Sequence, residues 1–191
     1  MKKFLFPLFL LAFCVAGFST NWIEINSPVP APARIELISS VIDQSIVHFS
    51  MNGFNLSEVQ TPHGAAYTVS VGKTTPMLNA GAPDLPKYSV SLVIPDLAGM
   101  NIRVVSSSYK DFENLDIAPS KGVIMRDVDP LTVPYQYGKA YSQDKFYPEN
   151  LTDTRDPFIL RDLRGQTMLV YPFQYNPVTR TLRVYYDMTV E

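Results

Sequence analysis

From position 34 onward, apolar residues recur at every second position. Val47, Phe49 and Met51 alternate with His48 and Ser50, and Tyr88, Val90, Leu92 and Ile94 alternate with Ser89, Ser91 and Val93. A period of two places the apolar set on one face of an extended chain, so these segments predict half-buried β-strands. Further strands are expected at 35–39, 66–71, 101–107 and 159–161. A long C-terminal hairpin is expected as well: Leu169, Tyr171 and Phe173 share one face, Asn176-Pro177-Val178-Thr179-Arg180 turns the chain, and Leu182, Val184, Tyr186, Met188 and Val190 return on one face. No segment carries a convincing amphipathic helix, and sixteen prolines punctuate the chain. The fold class that follows is all-β: a single β-sandwich or jelly-roll-like domain with long loops.

The N-terminus departs from this pattern. Lys2 and Lys3 precede an apolar run at 4–18 that ends among small residues at Gly17, Ser19 and Thr20, the anatomy of a signal peptide over 1–20. The mature chain is therefore expected to begin near residues 20–22. It would be exported through the inner membrane to the periplasm or beyond, with no membrane attachment after cleavage. The only cysteine, Cys14, lies inside that signal, so the mature domain has neither a disulfide nor a thiol nucleophile. Phe13, where a small residue is required, argues against acylation of Cys14. Residues 21–33 form an N-terminal arm whose proline-rich part, 27–33, reads as a stiff, extended spacer, and 34–191 forms the β domain.

Composition narrows the function classes. The formal charge is −2 and the basic residues are scattered, so no electrostatic footprint for nucleic acid exists. His48 falls on the polar side of a strand and His63 in the turn Thr61-Pro62-His63-Gly64, and neither has a nucleophile or an orienting partner in a recognisable motif. A Gly-x-Ser-x-Gly elbow is absent. Asp127 with Asp129, or Asp153, Asp156 and Asp162, lack calcium-loop spacing and read as turn caps or solvated charges. No catalytic residues, metal or cofactor are expected; the chain is not an enzyme in its own right.

The stretch 116–155 lacks strong alternation and carries prolines at 119, 130, 134 and 148, yet it also contains Tyr135, Tyr137, Tyr141, Phe146 and Tyr147. A solvated linker would not carry so many large rings, so this loop is expected to lie against a surface. An exposed carbohydrate platform is the competing reading of the same rings. Within it, Ala118-Pro-Ser-Lys-Gly-Val-Ile-Met-Arg-Asp-Val-Asp-Pro130 places one arginine after an apolar tripeptide between two prolines. On the residues alone Arg126 reads as a solvated loop arginine.

Several ordered motifs change that. Val59-Gln-Thr-Pro-His-Gly64, Ala118-Pro-Ser-Lys-Gly122, Met125-Arg126, Asp129-Pro130, Pro134-Tyr-Gln-Tyr-Gly-Lys139, Tyr141-Ser-Gln143, Asp156-Pro-Phe-Ile-Leu-Arg-Asp162 and Gln174-Tyr-Asn-Pro-Val178 closely resemble the N-terminal propeptide of gingipain-type cysteine peptidases, over about 35–191. The resemblance implies a latency-maintaining inhibitor and folding aid whose partner is a gingipain-type catalytic domain, in cis or in trans. It also implies that Lys121, Gly122, Val123, Ile124, Met125, Arg126 and Asp127 form an inhibitory loop. Arg126 would occupy the specificity pocket as a pseudo-substrate. The loop is expected to be extended at Met125-Arg126 and stiffened at its ends by Pro119 and Pro130. The chain ends at Glu191, where such a propeptide would continue into the peptidase, so it is expected to be either part of a zymogen or a free-standing inhibitor. The alternative is a secreted β-sandwich binding module, for carbohydrate or cell-surface protein, without inhibitory activity.

Overall fold

The computed structural model describes residues 20–191; residues 1–19, with most of the predicted signal and Cys14, lie outside the described residues. Thirteen strands follow in order: β1 (Thr20–Glu24), β2 (Arg34–Ser40), β3 (Ser45–Ser50), β4 (Gly53–Thr61), β5 (Gly64–Ser70), β6 (Thr75–Pro76), β7 (Pro86–Val93), β8 (Val104–Phe112), β9 (Thr152–Thr154), β10 (Phe158–Leu160), β11 (Leu163–Val170), β12 (Phe173–Asn176) and β13 (Thr181–Val190). The only helical piece among the described residues is a 3-10 turn at Lys139–Ser142. The all-β single domain expected from the alternation is what forms.

The strands divide among three sheets, β1-β4-β5, β10-β11-β7-β6 with β9 added, and β12-β13-β3-β2 with β8 added. Every ladder within them is antiparallel. Two strands organise the larger sheets in the same way. β13 gives one edge to β8, and divides the other between β12 at its start and β3 at its end. β11 gives one edge to β7 and divides the other between β10 and β9. β11 is also covered on both faces from Gly165 onward, where Gly165, Gln166, Met168, Leu169 and Val170 are buried in near-continuous fashion.

One core draws on all three sheets: Phe54 and Leu56 from β4, Met168 and Val170 from β11, and Phe49, Leu182 and Met188 from β3 and β13. Phe54, fully buried, stands edge-on to Phe112 at 5.3 Å and to Phe173 at 5.5 Å, the arrangement that the ring quadrupole favours. Phe49 of β3 meets Tyr88 of β7 in the same edge-on manner at 6.0 Å, joining two sheets across the core. β1 closes over β4 because Gly53 lacks a side chain. A Cβ there would lie 2.4 Å from the Ile23 carbonyl oxygen and 2.6 Å from the Trp22 ring.

The structure departs from the sequence reading at several points. The expected continuous face Leu169, Tyr171, Phe173 is broken at Tyr171-Pro172, where the chain leaves the β7–β11 sheet and enters the β12–β13 sheet. Pro172 has no N–H to continue a ladder, so a change of sheet is the natural outcome. The strand expected at 101–107 begins at Val104 and runs on to Phe112. Strands β1, β4, β6 and β9 were not anticipated. The proline-rich arm stays without ladder bonds through residues 27–33, but it ends docked: Ala33 is fully buried and its N–H donates to the Gly72 carbonyl oxygen at 3.1 Å.

Candidate functional site

The chain from 113 to 151 makes no regular strand, and tyrosines hold it in place. Tyr147 exchanges two backbone hydrogen bonds with Tyr175 of β12, at 2.9 and 2.8 Å. The Tyr175 hydroxyl donates to the Leu115 carbonyl oxygen at 2.9 Å, and the Tyr141 hydroxyl donates to that of Ile117 at 2.7 Å. The rings form a column, Tyr141 edge-on to Tyr137 at 4.6 Å and to Tyr175 at 6.4 Å. Burial raises the phenol pKa of Tyr175 to about 12, with the Ile117 backbone hydrogen bond and Arg180 opposing and Asp116 adding to the rise. Tyr141 rises further, again mainly through burial. Both therefore remain neutral hydrogen-bond donors at any physiological pH.

The remaining rings are also engaged. His63 stacks on Tyr137 with centroids 4.0 Å apart, and the Tyr137 hydroxyl lies 2.8 Å from Thr61 Oγ1. Arg183 of β13 is sandwiched between Tyr109 at 4.2 Å and Phe146 at 4.4 Å, and its guanidinium donates twice to Asp111, each at 2.8 Å. The expectation that this long loop lies against a surface is met for its aromatic part from Tyr137 to Tyr147, and the surface there is the domain's own. Rather than standing free as a platform, these side chains are mostly engaged within the domain: Tyr137, Tyr141 and Tyr147 through their hydroxyls, and Tyr135 and Phe146 beneath Lys121 and Arg183. His48 pairs with Asp187 at 2.9 Å. Asp129 and Asp153 accept backbone N–H groups from Leu131 and Thr154, the turn-capping role expected of them.

From this tethered framework the segment 118–136 projects. Its entry is rigid: Ala118 donates to the Tyr67 carbonyl oxygen, Asp84 to that of Ala118, Ser120 to that of Ala82, and Gly81 to that of Ser120. Gly122 is buried at φ +76°, where a Cβ would sit 2.9 Å from Ala80 Cβ, so glycine is required both by backbone conformation and by space. Its N–H donates to Ser120 Oγ at 3.2 Å. Beyond it the chain emerges: Val123 is 73% and Met125 67% exposed, while Ile124 is half-buried.

Arg126 and Asp127 occupy the two central positions of a turn closed by the Val128 N–H donating to the Met125 carbonyl oxygen at 3.0 Å. The expectation of an extended Met125-Arg126 is thus corrected: the backbone reverses at the arginine. A second turn follows directly, in which Asp129 accepts from Leu131 and Thr132. Arg126 is exposed and makes no hydrogen bond or ion pair among the described residues. Neither Asp127 nor Asp129 pairs with it. The two prolines at the ends have partners: Pro119 bridges Pro83, and the Pro130 carbonyl oxygen accepts from the Lys121 ammonium at 2.7 Å. Lys121 also lies over the Tyr135 ring at 4.4 Å. Neither Lys121 contact had a signal in the sequence, because nothing local marks a lysine that reaches nine positions along the chain.

Asp84, at the foot of this segment, is half-buried, with no side-chain hydrogen bond among the described residues, and burial raises its carboxyl pKa. A folded pKa above the unfolded one favours the protonated form in the fold. That contribution to stability is complete below the unfolded pKa and is lost as pH rises through the raised folded value. Asp84→Asn is therefore expected to be more stable than the natural chain at pH 7, with the difference shrinking towards about pH 4. Urea midpoints at the two pH values check this, and equal midpoints at pH 7 would contradict it.

This geometry defines a class: an all-β domain that holds one loop rigidly at its base and offers an unpaired cation at its tip. The chain matches the family described as Propeptide_C25 over residues 30–191, and it belongs to that family: it is a propeptide segment and not a catalytic domain. It is 48% identical over 159 residues to gingipain R1 of Porphyromonas gingivalis, a match covering 82% of this chain and 16% of that protein. To Lys-gingipain of the same organism it is 25% identical over 191 residues, covering 96% of this chain and 11% of that protein. The chain thus spans only a small part of the length of these relatives. Among solved structures, the complex of Porphyromonas gingivalis RgpB pro- and mature domains superposes with a TM-score of 0.79 at 41% identity, covering 82% of each chain. A structure describing zymogenic latency of gingipain K from the same organism superposes with a TM-score of 0.75 at 23% identity, covering 90% and 96%, a likeness of fold.

Proposed function

We propose that the chain maintains latency of a gingipain-type cysteine peptidase and assists its folding, with residues 121–127 as the inhibitory loop and Arg126 as the plug of the specificity pocket. The observation that carries this reading is the exposed, unpartnered guanidinium of Arg126 at the tip of a turn whose base is fixed by buried backbone hydrogen bonds. A peptidase that cuts after arginine needs a carboxylate to receive a guanidinium, and a desolvated bidentate pair is strong and geometry-specific. The turn at Met125–Val128 adds a reason for inhibition without rapid cleavage. A substrate continues extended past the scissile bond, whereas this chain folds back after Arg126, which opposes the near-attack geometry that acyl transfer requires. The RgpB pro- and mature domains form a complex, and by analogy the partner here is the mature domain of such a peptidase, in cis or in trans. Residues 1–20 would direct export through the inner membrane and 34–191 would form the inhibitory domain, with the segment 21–33 joined to it through β1 on β4 and through the buried Ala33.

The test is a titration of the purified chain into an arginine-specific gingipain-type peptidase turning over a small arginyl substrate. Saturable inhibition with a stoichiometric end point is expected. No inhibition at any concentration would reject the reading and leave a secreted binding module.

A further inference from the structure

Between Val123 and Gln136, the hydrogen bonds made within the segment are local ones: Val128 to Met125, and Leu131 and Thr132 to Asp129. Among the described residues, a single hydrogen bond ties this whole stretch to the rest of the domain, and it is the one from Lys121 Nζ to the Pro130 carbonyl oxygen. The same ammonium sits over the ring of Tyr135, which lies at the far end of the stretch. One cation thus joins the rigid entry at 118–122 to both the middle and the end of an otherwise loosely held loop. Half-burial of Ile124, Val133 and Tyr135 adds apolar contact, but such contact is non-directional and does not set the angle at which the tip is displayed.

We propose that Lys121 is a positioning residue: its ammonium is the clasp that fixes the Arg126 loop in its displayed, turned geometry before the partner arrives. This rests on the reading of Arg126 as the plug. Fixing a loop beforehand removes its ordering cost from the association step. A charge-assisted hydrogen bond and a cation–π contact made by one group are directional and mutually supporting. The clasp also protects the loop. While Pro130 is held, the chain after Arg126 stays folded back; once it is released, the segment can extend through the partner's cleft like a substrate.

Four variants test this: Lys121→Met, which keeps the length of the stem and loses the charge, Lys121→Arg, Arg126→Ala, and Lys121→Met combined with Arg126→Ala. Each is titrated against the same arginine-specific peptidase, and the bond after Arg126 is followed by mass spectrometry. Lys121→Met is expected to raise Ki about tenfold and to speed hydrolysis after Arg126, while Lys121→Arg, which keeps both contacts, remains within about threefold of the natural chain. In the Arg126→Ala background Lys121→Met is expected to add nothing, because it acts through the arginine. This non-additivity separates a clasp from a general loss of stability, which would weaken both backgrounds alike and would overturn the proposal. Natural Ki in Lys121→Met, with Arg126→Ala still weakened, removes the clasp and leaves the plug. Natural Ki in Arg126→Ala removes the plug and the clasp with it.

Discussion

Arg126→Ala is expected to weaken inhibition by about 2–5 kcal/mol, on the order of 30-fold to several thousandfold in Ki, the range for truncating one partner of a buried charge pair. Much of that loss would come from the partner's side, where a carboxylate loses its counter-charge inside a closed pocket. The free domain should be unaffected, since Arg126 is exposed and makes no hydrogen bond or ion pair among the described residues. Urea midpoints of the variant and the natural chain are accordingly expected to coincide. Arg126→Lys should fall between the two in Ki, keeping the charge but losing the planar fork that engages both carboxylate oxygens. Raised salt should change the natural Ki little at the pocket itself, because a desolvated pair is poorly screened. If Arg126→Ala inhibits as well as the natural chain, then latency comes from broad occlusion by the domain surface and the loop is incidental.

Strands were legible where alternation met one-sided burial. β3 and β13 bury alternate residues over part of their length, β7 half-buries Tyr88, Val90 and Leu92 between exposed neighbours, and the period of two revealed all three. β8 was misplaced because its residues from Val105 to Asp111 are exposed on both faces, so Ser106, Ser107, Ser108 and Lys110 left no contrast to read. β4 was missed for the opposite reason at its start, where Gly53 and Phe54 are buried side by side. Its pairing with β1 depends on Trp22 fitting over Gly53, a match between distant residues with no local trace. The loop at 118–136 follows the same logic. Its composition marked it as unusual, and its aromatic content marked it as packed. The role proposed for Arg126 came only through family resemblance, because an exposed cation on a turn looks the same in any loop. The contacts of Lys121 with Pro130 and Tyr135 and the reversal after Arg126 are tertiary facts, visible only once the chain is folded.

The second large effect is expected where the long loop is anchored. Tyr175→Ala should cost about 3–5 kcal/mol of unfolding free energy, the range for truncating a fully buried aromatic side chain. The Tyr175 ring is 2% exposed in the core cluster, edge-on to Tyr141, and its hydroxyl satisfies the Leu115 carbonyl oxygen. Tyr175→Phe isolates the hydroxyl: it keeps the ring, leaves Leu115 without that donor, and should cost about 1–3 kcal/mol. The two costs have a functional consequence that differs from that of Arg126→Ala. The loop base at 118–122 is held by bonds to Tyr67, Ala82 and Gly81 that do not involve Tyr175. While Tyr175→Ala remains folded, it should therefore inhibit with a Ki close to natural, yet be degraded faster by a general protease as 138–150 loosens. Urea denaturation, limited proteolysis and Ki on the one variant separate these effects. A natural unfolding midpoint in Tyr175→Ala would mean that the tyrosine column is not what holds the long loop. A Ki lost in proportion to stability would mean that bait and scaffold are one cooperative unit, with the arginine presented only by the intact fold.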